Sequence, residues 1–319
     1  MNFLNLDPYN FSDSAKKRIS KYFVYDEINV TNDFNLSLLE KYDVILVKFS
    51  IKFDEKVIDR CKKLKYILCP ATGVDHINVD YCKSRGISII SLFNETEFLN
   101  NVHSSAEHTW ALLMSSYKNV INSFDFTIEH QKWERNRFQT RDLFGKKIGI
   151  VGYGRNGRKI ARYAAAFGME IFVYDQLKIN TQDESIQIQQ VTLENLFAKS
   201  NIIILSISLN DQTKNLINNE ILSNITTNCY LINTSRGEIV NEDSIINALS
   251  NGKLTYYATD VLTNEYQDNF LQHSKIFQYC KKNKNILITP HIAGSNLDSW
   301  EKTDNFVLDK LLKIIESNE

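Results

Sequence analysis

The chain has 319 residues, 43% of them hydrophobic and 24% charged, with a formal net charge of −1. Such a length favours two cores over one, and the balanced charge argues against a surface built for nucleic acid or anionic membrane. No apolar run approaches the roughly 20 residues of a membrane-spanning helix. The five cysteines are scattered without a CxxC pair, and the opening MNFLNLDPYN lacks a basic segment followed by an apolar one. Reduced thiols in a cytoplasmic protein are therefore expected, rather than a disulfide framework, a zinc site or a secreted chain.

In chain order, the runs VILVKF (44–49), YILC (66–69) and ISIISL (87–92) read as strands, with helical character between them, as in 54–62. Strands joined by helices imply a parallel sheet. The segment 104–121 has helical apolar spacing and opens with Ser104-x-x-Glu107, the form of a capping box. A second series of strands follows: KIGIV (147–151), EIFVY (170–174), NIIILS (201–206), CYLIN (229–233), TYYAT (255–259) and ILIT (286–289), and the tail 297–315 reads as helix. Two series predict two α/β domains.

The sharpest local signal lies at 147–175. A strand runs into Gly152-x-Gly154-x-x-Gly157, a helix follows, and a second strand ends at Asp175, 18 residues beyond Gly157. Gly152 permits the tight turn, Gly154 lets the backbone approach a pyrophosphate, and Gly157 lets the helix pack close to the strand. The amides from Arg155 and Asn156 onward then face the phosphates. Asp175 can bind both ribose hydroxyls and would repel a 2′-phosphate, which favours NAD over NADP.

Three ionisable residues follow strands of the second series: Arg236 in NTSRGEIV, Glu265 in TDVLTNE and His291 in ITPHIAGS. Ligands of open α/β sheets bind beyond the carboxyl ends of the strands, so all three are placed toward the nicotinamide end of a bound dinucleotide. His103 and His108 flank Glu107 without the HExxH order, and no metal site is expected; His76, His130 and His273 suggest no partners. Trp110 reads as core packing.

From Asp43 onward the chain resembles the D-isomer-specific 2-hydroxyacid dehydrogenases, of the phosphoglycerate dehydrogenase-like kind. The matching pieces are ATGVDHIN (71–78), NVHSSAEHTWALLMS (101–115), GIVGYGRNG (149–157), INTSRGEIVNEDSIINAL (232–249), TDVLTNE (259–265) and TPHIAG (289–294). The resemblance implies a Rossmann-type cofactor domain (104–292) inserted into a discontinuous flavodoxin-like substrate domain (1–103 and 293–319). It implies a homodimer and hydride transfer between NAD and a D-2-hydroxy acid or 2-keto acid. His291 would be the acid or base, Glu265 would stabilise the imidazolium and orient the ring, and Arg236 would bind the carboxylate and polarise the ketone. Asp260 would contact the nicotinamide carboxamide, with Thr234, Ser235 and Ser206 near the cofactor, and the amides of Thr72, Gly73 and Val74 would hold the substrate carboxylate.

The chain departs from the family where Tyr266 follows Glu265 in place of proline, and where Ser206-Ile207-Ser208 replaces a His-x-Pro-like turn. A helix-bearing insert is expected over 270–285. Phosphate-specific relatives carry arginines after the strand ending near Phe49; Lys48, Ser50 and Lys52 stand there. A rival reading is an NAD(H)-sensing binding protein on the same scaffold. Formate dehydrogenases of this type lack the glutamate, so Glu265 argues against that chemistry.

Overall fold

The apolar runs form strands because a strand in a parallel sheet is covered on both faces and can be hydrophobic throughout. A computed structural model of the chain describes all residues except 32, 181–184, 227, 266, 268 and 318–319. It divides into two compact units, residues 1–102 with 295–319, and residues 103–294.

Among the described residues, the first unit holds strands β1 (Asn2–Asn5), β2 (Val24–Glu27), β3 (Val44–Leu46), β4 (Tyr66–Cys69) and β5 (Ser88–Ser91). All pair in parallel, in the order β2-β1-β3-β4-β5. This is the flavodoxin-like doubly wound order. Successive residues of β3 point to opposite faces: Ile45 joins Leu4 and Ile67 in one core, while Val44 and Leu46 join Phe3 and Leu68 in the other. The long helix Leu297–Ser317 completes the second core with Val307, Leu308 and Leu311, and Phe306 stacks on Phe98 at 3.9 Å.

The sequence-based strand 44–49 proves shorter. The Lys48 amide donates to Asp7 Oδ2 (2.7 Å) and the Ser50 hydroxyl to the same oxygen (2.9 Å), which draws the chain out of the ladder after β3. Lys48 is 3% exposed and pairs with the fully buried Asp304 at 2.8 Å, with Trp300 and Phe11 rings beside its ammonium. Asp304 Oδ2 also accepts from the Ser12 amide at 2.8 Å.

The second unit holds β6 (Lys147–Val151), β7 (Glu170–Tyr174), β8 (Gln189–Gln190), β9 (Ile202–Leu205), β10 (Cys229–Asn233), β11 (Leu254–Thr259) and β12 (Ile286–Ile288). Their parallel order is β12-β11-β10-β9-β6-β7-β8. It is the Rossmann arrangement with one further strand, and the order reverses between β6 and β9. Along β9, Ile202 and Ile204 enter the core with Ile148 and Ile160, while Ile203 and Leu205 enter the opposite one with Leu196 and Leu231. Trp110 packs against Tyr163 and Phe167, as its helical spacing suggested.

The expected capping box is not formed. The helix Ser104–Tyr117 begins at Ser104, its cap position is His103 without a side-chain cap, and the Ala106 and Glu107 amides donate to the His103 carbonyl. Ser104 already belongs to the first turn, so its hydroxyl cannot take the cap role. The insert forms two short helices, Phe270–His273 and Lys275–Cys280.

The Lys48–Asp304 pair generates a signed prediction. Burial pushes the Asp304 carboxyl up to about 6 and Lys48 down from the ordinary lysine value. Lys48→Met removes the countercharge and leaves an ionised carboxylate buried at neutral pH, a loss of about 3–5 kcal/mol. A carboxyl raised above its unfolded value loses stability as pH rises through the folded value. Urea unfolding followed by Trp300 fluorescence should therefore show the deficit largest at pH 7–8 and shrinking toward pH 4–5; a deficit independent of pH refutes this account.

Candidate active site

A parallel sheet brings the carboxyl ends of its strands to one edge, and the candidate residues of the second unit lie there. The loop after β6 carries Gly152 at φ +94, where a Cβ would lie 2.4 Å from the Ser206 carbonyl oxygen, so the turn requires glycine. Ser206 follows β9 and its amide donates to Val151 O at 2.8 Å. A Cβ on Gly157 would lie 2.2 Å from Gly152 O, which shows how closely the helix Arg155–Ala166 approaches the turn. Around Gly154 a Cβ would meet no atom within 4 Å.

Gly154 is exposed, Arg155 and Asn156 are half-buried, and all three stand at the start of that 12-residue helix. Its first amides have no intrahelical acceptor. Asp175 follows β7; its Oδ2 accepts from the Tyr153 amide (2.8 Å) and its Oδ1 from the Leu177 amide (3.0 Å), which fixes the carboxylate beside the glycine turn. Open space over Gly154, a helix N-terminus and an acidic side chain at the next strand end fit a nicotinamide dinucleotide.

Beyond β10, the Thr234 hydroxyl lies 2.6 Å from that of Thr109, and the Ser235 hydroxyl donates to Leu205 O at 2.9 Å. Arg236 is half-buried, with Nη1 donating to Ser235 O at 2.8 Å. A Cβ on Gly237 would meet the Leu262 and Thr263 backbone at 2.1–2.4 Å, so this glycine lets the loops carrying Arg236 and Glu265 lie against one another. Glu265 Oε1 and His291 Nδ1 are 2.7 Å apart, with 13% and 28% of their side chains exposed. A carboxylate on Nδ1 favours the proton there and leaves Nε2 as the working nitrogen.

His291 has φ +53, an uncommon conformation for a side-chain-bearing residue. Its amide lies 2.9 Å from Asp260 O and 3.0 Å from Thr289 O. The Asp260 side chain holds the following turn: the Ile292 amide donates to Oδ1 (2.9 Å), the Ala293 amide to Oδ2 (2.7 Å), and the Thr289 hydroxyl to Oδ1. His108 Nε2 is 3.3 Å from Oδ1 and 3.1 Å from Thr289 Oγ1. Burial pushes the Asp260 carboxyl up, but the hydrogen bonds from His108, Thr289, Ala293 and Ile292 outweigh it and hold the group below the ordinary aspartate value.

The Asp260 side chain is 0% exposed, and its two oxygens face these donors. His108, set aside from the sequence only as a metal ligand, joins the cluster. No sequence spacing could reveal it, because Thr289 lies 181 residues away. Likewise His76 is buried, 4.0 Å from Cys69 Sγ and near the Phe49 ring. In the first unit, Thr72, Gly73 and Val74 follow β4 in an irregular segment, with Thr72 exposed. Lys48 is withdrawn into its ion pair and offers no cation to a phosphate.

The profile of the family described as "D-isomer specific 2-hydroxyacid dehydrogenase, NAD binding domain" matches residues 110–293. The chain belongs to this family. It is 30% identical to the D-3-phosphoglycerate dehydrogenase of Bacillus subtilis, over 82% of this chain and 47% of that one. It is 26% identical to the hydroxypyruvate reductase of Thermotoga maritima, over 90% and 91%. The crystal structure of a glyoxylate reductase from Paecilomyes thermophila superposes with a TM-score of 0.82 at 25% identity, covering 100% of this chain and 96% of that one. The chain spans about half the length of the D-3-phosphoglycerate dehydrogenases it matches.

The two glycines of the dinucleotide loop separate in a testable way. Gly154→Ala should leave the thermal midpoint within about 2 °C, a change of under ~0.5 kcal/mol, yet weaken NADH binding at least tenfold. Gly157→Ala should destabilise the fold by about 1–3 kcal/mol, because backbone must move. Equal thermal losses in both variants would contradict the geometry.

Proposed function

We propose that the chain is an NAD-dependent oxidoreductase that moves a hydride between nicotinamide and a D-2-hydroxy acid or 2-keto acid. The observation that carries this reading is the Glu265–His291 pair, 2.7 Å apart on the same sheet edge as the glycine loop. When bound, the nicotinamide ring supplies or accepts the hydride. In reduction, His291 Nε2 gives its proton to the ketone oxygen; in oxidation, neutral Nε2 takes the hydroxyl proton. Glu265 stabilises the imidazolium and keeps Nδ1 occupied, so proton exchange is confined to Nε2. Arg236 presents a planar donor fork suited to a carboxylate and its neighbouring ketone oxygen.

The names of the relatives suggest 3-phosphohydroxypyruvate, hydroxypyruvate and glyoxylate, with pyruvate, as the panel for an NADH-oxidation assay. Turnover on at least one is expected. Tight NADH binding without turnover on any would favour a binding protein that reads NAD(H) occupancy. His291→Ala should lower kcat by about 10²–10⁴-fold while NADH affinity stays within twofold, and near-normal turnover in that variant would sink the assignment.

We assign NAD as the preferred dinucleotide. The support is the position of Asp175, whose charge opposes a 2′-phosphate. Replacing it by serine should raise the kcat/KM with NADPH relative to NADH by tenfold or more, and a parent protein that already prefers NADPH would overturn this assignment.

A further inference from the structure

His291 sits on a turn that the local sequence does not favour. Its φ of +53 lies in the left-handed region, which is uncommon for residues other than glycine although histidine enters it more readily than most. Contacts from outside the turn hold it there. The Asp260 carboxylate does so by accepting the Ile292 and Ala293 amides, one on each oxygen. That carboxylate is itself a demanding group, because it is ionised, wholly buried, and needs donors to offset its lost hydration.

Of the four donors around it, two are backbone amides and one is the Thr289 hydroxyl; His108 alone can carry a positive charge. His108 reaches Asp260 from a separate element, the helix Ser104–Tyr117, and contacts the Thr289 hydroxyl as well. One imidazole thus orients both the acceptor and the hydroxyl that fix the chain on either side of His291. The contacts of His108 with Asp260 and Thr289 connect it to His291 through the Asp260 carboxylate.

We infer that His108 is a positioning residue for the acid–base histidine, holding the Asp260 carboxylate that shapes the 289–293 turn. The inference rests on His291 as the acid–base residue. A donor at the Nε2 position is what the geometry demands, so glutamine should substitute and alanine should not.

The test compares His108→Ala with His108→Gln in the full chain. His108→Ala should lower kcat by about 10- to 100-fold, the scale expected of misplacing a catalytic group by about an ångström, with NADH affinity within twofold. His108→Gln should recover kcat to within about threefold. Independently of activity, hydrogen exchange at the Ile292 and Ala293 amides should quicken at least tenfold in the alanine variant and return in the glutamine variant. Unchanged exchange and kcat in His108→Ala would overturn the inference, as would failure of glutamine to restore either. Full activity of His291→Ala would instead defeat the functional reading, while the exchange result would still decide whether His108 holds the turn.

Discussion

Parallel pairing is the constraint from which the site follows. Parallel strands need a crossover between each pair, and every crossover begins at the same edge of the sheet. In the second unit this places the glycine turn, Asp175, Ser206, Arg236, Asp260 and His291 at that edge, although the chain separates them by up to 139 residues, from Gly152 to His291. The reversal of order between β6 and β9 parts the crossovers to opposite faces and opens a crevice where the helix Arg155–Ala166 starts. The covered faces of the sheet supply the rigidity: β9 alone places four fully buried side chains into two separate cores.

Within that frame, buried carboxylates do structural work that their exposed counterparts could not. Asp260 gathers donors from two separate parts of the chain, the helix bearing His108 and the turn bearing His291, and so fixes that turn. Asp304 pairs with Lys48 and accepts the Ser12 amide, joining the C-terminal helix to the strand ends of the first unit. In each case the loss of hydration makes the group intolerant of a missing partner, and that intolerance specifies one conformation. The same pair removes Lys48 from the surface, where it would otherwise resemble a phosphate contact.

The glycines show the complementary device, in which the missing side chain carries the information. Gly152, Gly157 and Gly237 each stand where a Cβ would strike backbone, whereas Gly154 faces open space. Three of these positions let protein approach protein, and one lets something else approach protein. The last is the feature that fits a dinucleotide.

Much of this was legible in the residues themselves. Apolar runs marked β3 to β5 of the first sheet and all but β8 of the second, because a strand buried on two faces must be hydrophobic throughout, whereas the first sheet's β1 and the half-exposed edge strand β2 were not read from the sequence. The glycine loop ending in Asp175 was readable because its parts are neighbours in sequence and each has a local steric or electrostatic task. Glu265 and His291 could be named as strand-end residues, but their 2.7 Å contact required the β11–β12 pairing that brings them together. The end of β3 was set by a tertiary acceptor, Asp7 capturing Lys48 and Ser50, and so escaped local rules. The role of Asp260 and the presence of His108 beside it were decided by folding alone. Which of its possible partners a carboxylate meets depends on which elements bury it, and that burial is a property of the packed sheet and helix rather than of any window of sequence.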